Sequence, residues 1–185
     1  MTSRKPLLEA LVAMLTPEDV LVSCLGANSR YLPHLAVSSP TFALCDSMGA
    51  AIPLALGMAL QRPDRHVIAL EGDGSLLMCP NVLATVAAAR PSNLTALLWV
   101  NGHYESSGGQ QLPSAPIDWP GLATGFGIAH VERVGDVSSL RTAFPRARAA
   151  QEPALLVVDV AFDPNESIPP YSERPDEIRA RFRIS

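Results

Sequence analysis

The sequence is short of aromatic residues, of charge and of paired cysteines, and each shortage narrows what the chain can be. Phe, Trp and Tyr make up only 5% of the 185 residues. Ala, Leu and Val dominate instead, which suits buried parallel strands packed under alanine-rich helices. Charged residues are 17%, with a net charge of −4 and no basic cluster, which argues against a nucleic-acid or acidic-membrane surface. Cys24, Cys45 and Cys79 are odd in number and widely spaced. Without a CxxC pair or His/Cys cluster they do not form a zinc pattern and read as buried, reduced thiols of a cytoplasmic protein. No apolar run approaches the length of a membrane span. The N-terminal "RKPLLEALVAMLTPED" is basic and apolar, but Glu9 interrupts it and no small-residue cleavage site follows. It reads as an amphipathic first helix, not a signal peptide. No GxGxxG follows the first strand, which disfavours a dinucleotide-binding domain.

What is present is alternation of apolar, β-rich runs with helical patterns, in a length that fits one domain with a real core. Strands are expected over Val20–Gly26, Pro40–Cys45, His66–Gly72, Leu94–Asn101, Ala129–Gly135 and Ala154–Phe162. Helices are expected over Gly49–Gln61, Cys79–Arg90 and Asp136–Gln151, with Pro53 and Pro80 near the starts of the first two and Pro145 kinking the third. Strands without internal alternation, separated by helices, predict a parallel doubly wound α/β sheet flanked by helices. The tail from Asp163 to Ser185 reads as a Pro-rich arm ending in a short helix, appended to a domain over residues 1–162.

In such sheets ligands sit at the carboxyl ends of the strands, and four of those ends carry unusual residues: "GANSR" (Gly26–Arg30), "CDSMGAA" (Cys45–Ala51), "GDGS" (Gly72–Ser75) and "VNGHYESSGGQQ" (Val100–Gln111). Asp73 and, 28 residues later, Asn101 are hard oxygen donors at neighbouring ends. Magnesium takes few protein oxygens and completes its octahedron with phosphate oxygens. Gly72 and Gly74 permit close backbone approach, and Ser75 offers a hydroxyl to a phosphate.

The stretch "GDGSLLMCPNVLATVAAARPSNLTALLWVNG" resembles the thiamine-diphosphate fingerprint. "SMGAAIPLALGMALQRPDRHVIALEGDGSLLM" and "NGHYESSGGQQ" resemble the cofactor-binding half of the phosphonopyruvate and sulfopyruvate decarboxylases. The likeness runs from about Val20 to Val160. Val100 replaces the first Asn of the fingerprint's closing pair, and Ser107 stands where that group has Thr. The resemblance implies that Asp73, Asn101 and the main-chain oxygen of His103 bind magnesium. It implies that Gly26, Ser29, Gly74 and Ser75 contact the diphosphate of thiamine diphosphate. Met48 would bend the cofactor from beneath, beside Ser47, and the main-chain oxygen of Asp46 would accept from its exocyclic amine. His103, Glu105, Ser106, Ser107 and Gln110 lie in a loop that overhangs the thiazolium in the resembled group, and are candidates for orienting a small 2-oxo acid or moving protons.

Enzymes of this kind build their site between two domains, the second supplying a glutamate that activates the aminopyrimidine. None of the nine glutamates here has that context. The resemblance therefore implies a beta-type subunit of a split 2-oxo acid decarboxylase, silent alone, that meets a separate pyrimidine-binding alpha-type subunit in a dimer or alpha2beta2 assembly. A carboligase subunit making an acyloin or acetohydroxy acid and a non-catalytic cofactor-binding subunit remain the alternatives.

Overall fold

The computed structural model describes residues 1–113 and 117–183. Eight strands run in chain order: β1 (Asp19–Ser23), β2 (Thr41–Ala43), β3 (His66–Gly72), β4 (Leu94–Val100), β5 (His103–Tyr104), β6 (Gln110–Gln111), β7 (His130–Val134) and β8 (Ala154–Asp159). The helices are α1 (Arg4–Val12), α2 (Ala27–Tyr31), α3 (Ala51–Gln61), α4 (Asp73–Leu76), α5 (Val82–Ala89), α6 (Trp119–Gly125), α7 (Val137–Ala149) and α8 (Pro175–Arg181). Six strands form one sheet in the order β2-β1-β3-β4-β8-β7, every pairing parallel. This is the expected doubly wound architecture. After β1 the chain winds outward to β2, then returns to the other side of β1 as β3. The crossovers therefore diverge between β1 and β3, opening a crevice at their carboxyl ends.

The apolar runs do not alternate because both faces of the sheet are covered. Along β3, Ile68 and Leu70 join a cluster with Leu7 and Leu11 of α1 and Phe144 of α7. Val67 and Ala69, on the other face, belong to a second cluster with Ala55 of α3, Val86 of α5 and Ala123 of α6. Each such Leu, Ile or Val withdrawn from water contributes about 1.5–3 kcal/mol. Helix α7 begins with a reciprocal cap, in which Asp136 Oδ1 accepts the Ser139 N–H at 2.7 Å and Ser139 Oγ accepts the Asp136 N–H at 3.0 Å. Pro145 lies inside α7 without ending it.

Several local expectations are corrected. Helix α5 starts at Val82, so Pro80 lies in the preceding turn. The Gly-Asp-Gly-Ser turn is itself a single helical turn, α4. Helix α6 was not anticipated: Asp118 caps it by accepting the Gly121 N–H, while Pro120, Gly121 and Gly125 mask it in the sequence. Of the cysteines, all free, only Cys24 is buried; Cys45 and Cys79 are half-buried. The arm after Asp163 folds back over the sheet and ends in α8, its last residues Ile184 and Ser185 lying outside the described ones. Ile178 of α8 is buried, and Phe182 meets Phe42 of β2 edge-on at 5.2 Å. No helix among the described residues is long and apolar enough to cross a membrane.

Candidate functional site

Strand β3 delivers Asp73 to the mouth of the crevice, and β4, its parallel neighbour, delivers Asn101. The Asp73 side chain is 2% exposed. Its Oδ1 accepts the Gly74 N–H at 2.8 Å. Its Oδ2 accepts the N–H groups of Asn101 at 3.0 Å and Gly102 at 2.7 Å. Burial pushes this carboxyl's pKa up, and the three amides pull it back. Asn101 Oδ1 accepts the His103 N–H at 2.9 Å, closing a tight turn after β4. Gly74 is required by close approach: a Cβ there would lie 2.6 Å from the Tyr104 ring, so any side chain would drive the β5 hairpin off the aspartate.

Glu71, fully buried at the end of β3, turns to the opposite side. Its Oε2 accepts the N–H groups of Ala51 at 3.1 Å and Ile52 at 3.3 Å, where α3 leaves its amides unpaired. Burial raises its pKa against those donors. Ser75 Oγ accepts the Gly49 N–H at 2.8 Å. Glu71 and Ser75 thus tie down the segment that follows Met48.

One concavity at the carboxyl ends of β1, β3 and β4 brings together Gly26, Met48, Gly72, Asp73, Gly74 and Ser75 with Asn101, His103, Glu105 and Ser106. Asp46 and Ser107 line an adjoining cleft that shares Gly26, Met48, Glu105 and Ser106 with it. Ser29 is elsewhere: its hydroxyl donates to the Cys24 carbonyl and meets Ser23 Oγ, buried under β1. Ser47 is exposed. Gln110 is exposed in β6, where its Oε1 lies 3.4 Å from Ser107 Oγ. The His103 ring stacks on Phe162 with centroids 3.8 Å apart. Its Nδ1 lies 2.8 Å from the Asn101 carbonyl; since a carbonyl only accepts, Nδ1 carries the proton.

Of the other residues at the site, Arg4, Tyr31, Glu166 and Tyr171 carried no local signal. Arg4, at the start of α1, is 4% exposed and reaches Glu105 and Glu166. Tyr31 OH donates to Glu166 Oε1 at 3.0 Å. From the arm, Tyr171 OH accepts the Gly26 N–H at 2.8 Å, while Arg30 donates to the carbonyls of Pro169 and Ile168 and lies 5.7 Å from the Tyr171 ring centroid. Gly26 holds φ at +94°, a conformation that side chains resist, and it is this bend that turns its amide toward the arm. Asn28, 5% exposed, lines the same concavity and its Oδ1 has no hydrogen-bond partner among the described residues.

The donors present suit a hard cation. Asp73 and the Asn101 amide oxygen stand at one turn, with glycine amides close by, and no group of three or more His, Cys, Asp or Glu side chains forms a cage among the described residues. A cation held by so few protein oxygens takes the rest from a phosphate ligand.

An all-parallel doubly wound sheet with a polar, glycine-lined crevice at its switch point is an α/β cofactor-binding domain. Over residues 26–158 the chain matches the thiamine pyrophosphate enzyme C-terminal TPP binding domain, and it belongs to that family. It is 36% identical to the phosphonopyruvate decarboxylase of Streptomyces hygroscopicus over 98% of its own length and 45% of the relative's. It is 35% identical to the sulfopyruvate decarboxylase subunit beta of Methanothermobacter thermautotrophicus over 89% of its own length and 86% of the relative's. The chain thus spans less than half of the phosphonopyruvate decarboxylases it matches and most of that beta subunit. A solved 2-oxoglutarate:ferredoxin oxidoreductase from Magnetococcus marinus shares the fold at a TM-score of 0.76 with 18% identity, covering 89% of this chain and 64% of the other.

Proposed function

We propose that the chain is the diphosphate- and magnesium-binding half of a thiamine-diphosphate-dependent 2-oxo acid decarboxylase of the phosphonopyruvate and sulfopyruvate type. A separate pyrimidine-binding subunit would carry the activating glutamate, in a dimeric or alpha2beta2 assembly, and without it the chain is silent. The observation that carries this reading is Asp73, buried at the β3 end and locked by the Asn101 and Gly102 amides of the turn after β4. The 35% identity to a sulfopyruvate decarboxylase subunit beta, a name that implies a second subunit, supports the split.

Asp73, the Asn101 amide oxygen and the His103 main-chain oxygen would hold magnesium, and Gly26, Gly74 and Ser75 would meet the diphosphate. The bound thiamine diphosphate supplies an electron sink for loss of carbon dioxide. Met48, half-buried at the edge of the concavity, would set the cofactor's bend, and the Asp46 main-chain oxygen would orient its amine. The loop from His103 to Gln110 would cover the substrate and limit water. His103, with Nδ1 committed to the Asn101 carbonyl, has Nε2 to take or give a proton at the substrate. Glu105, Ser106 and Ser107 would position the 2-oxo acid.

Calorimetric titration of the purified chain with thiamine diphosphate and magnesium, with and without the product of the neighbouring gene, tests this. Binding that appears with the partner, followed by decarboxylation of phosphonopyruvate or sulfopyruvate, supports the proposal. Absence of binding with a folded partner overturns it.

A further inference from the structure

Arg4 is a buried cation that the reaction proposed above does not use. Its Nη2 lies 2.7 Å from Glu105 Oε2 and its Nη1 3.2 Å from Oε1, a fork on a carboxylate, and Nη1 also reaches Glu166 Oε2 at 2.8 Å. Burial of the guanidinium beside two carboxylates gives the pair a fixed geometry that an exposed ion pair lacks. Glu105 Oε2 then faces Asn101 Nδ2 at 3.4 Å, while Asn101 Oδ1 accepts the His103 N–H at 2.9 Å. Together these contacts decide which way the Asn101 amide points. Turned over, its NH2 would oppose the His103 N–H and its oxygen would oppose the Glu105 carboxylate, donor against donor and acceptor against acceptor.

We infer that Arg4 is a positioning residue for the divalent cation: by holding Glu105 it keeps the Asn101 amide oxygen presented at the cation site. The identity of the ion rests on the function proposed above; the brace rests on the contacts of Arg4, Glu105 and Asn101. Arg4 also neutralises a carboxylate that would otherwise add to the charge of Asp73 at the rim where a diphosphate must enter. A lysine would keep that charge but lose the fork, because an ammonium is a point donor that does not match a carboxylate bidentately.

The test is a magnesium titration of the chain reconstituted with its partner subunit, at fixed thiamine diphosphate, with cofactor binding followed by calorimetry. Circular-dichroism melts without metal or cofactor report folding separately. Outer residues that orient a metal ligand typically change metal affinity about 10- to 100-fold when removed, so Arg4→Lys and Arg4→Met should raise the half-saturating magnesium concentration by about tenfold or more. Glu166→Gln removes the second negative charge beside Arg4, leaves the Glu105 fork, and should leave that concentration unchanged even if it lowers the melting temperature. Wild-type magnesium dependence in folded Arg4→Lys overturns the inference. So does an equal rise in Glu166→Gln, which would mark general loosening of the arm. If Arg4→Met does not fold, Arg4→Lys decides alone. A wild-type assembly that binds no cofactor at any magnesium concentration refutes the proposed function and takes this inference with it; binding by wild type with unaltered Arg4 variants refutes the brace alone.

Discussion

Replacing Asp73 by Asn separates a ligand from a structural staple. The carboxylate accepts three backbone N–H groups at 2.7–3.0 Å. An amide oxygen in the place of Oδ2 keeps two of them and sets an NH2 against the Gly74 N–H, an unmet donor that costs about 1–3 kcal/mol. Removing a charge that burial already disfavours offsets part of that loss. The cofactor-free stability should therefore change by no more than about 2 kcal/mol. The loaded state behaves differently. With cofactor about 100-fold above its Kd, binding adds about 2.7 kcal/mol, which raises the melting temperature of a chain of this size by about 5–11 °C. If Asn weakens the site about 100-fold, the same cofactor concentration half-fills it and the rise shrinks to about 1–2 °C. Thermal melts of the reconstituted assembly, with and without magnesium and thiamine diphosphate, read both quantities. An undiminished rise in Asp73→Asn would refute the metal role, and a collapse of the cofactor-free protein would show Asp73 to be a staple for the β3–β4 ends.

His103→Ala should abolish turnover while cofactor binding, measured by calorimetry, persists; unchanged turnover removes His103 from the reaction. Burial, and then the nearby Arg148, lower the pKa of His66 from 6.5 to about 4, so the unfolded chain takes up its proton first as pH falls. The His66 contribution to stability is complete above pH 6.5 and fades toward pH 4, by at most about 3 kcal/mol; in melts across that window His66→Gln should lose this component, and an unchanged slope would contradict it. Tyr171→Phe leaves the Gly26 N–H without its hydroxyl partner and should lower cofactor-free stability by about 1 kcal/mol. It should leave thiamine diphosphate binding equal or tighter by calorimetry, and weaker binding would show that the hydroxyl belongs to the loaded site.

The sheet was legible because its strands are unbroken apolar runs buried on both faces. β3 has the expected bounds, and β4 ends one residue early because Asn101 gives its amide to Asp73 instead of a strand neighbour. The turn that joins Asp73 to Asn101 was legible because its parts are each local: a Gly-Asp-Gly at one strand end and an Asn at the next. What sequence could not show was which groups are already engaged. Ser29 stands three residues after Gly26, yet its hydroxyl turns to Cys24 and Ser23 because the short helix α2 points that face at β1. Arg4 is one basic residue of the N-terminal stretch, and its partners lie 101 and 162 residues away. No local pattern encodes pairs so far apart. The exposed Met78 and the buried Leu76, two residues apart in the sequence, show the same limit, since only tertiary packing tells them apart.

The arm has a consequence for how the molecule comes into being during synthesis. Glu166 and Tyr171 follow β8, the last strand, yet they touch Arg4 of α1 and the amide of Gly26 just after β1. Bringing such distant parts together adds little loop-closure cost beyond that of a loop half as long, but the contacts must wait until both parts have been translated. The strands can pair while the ribosome is still at work, whereas the arm's contacts with Arg4 and Gly26 form only from what emerges after them. A chain halted at Asp159 would hold every described strand of the sheet and lack the Glu166 clasp on Arg4, so translation reaches the sheet before it reaches the clasp.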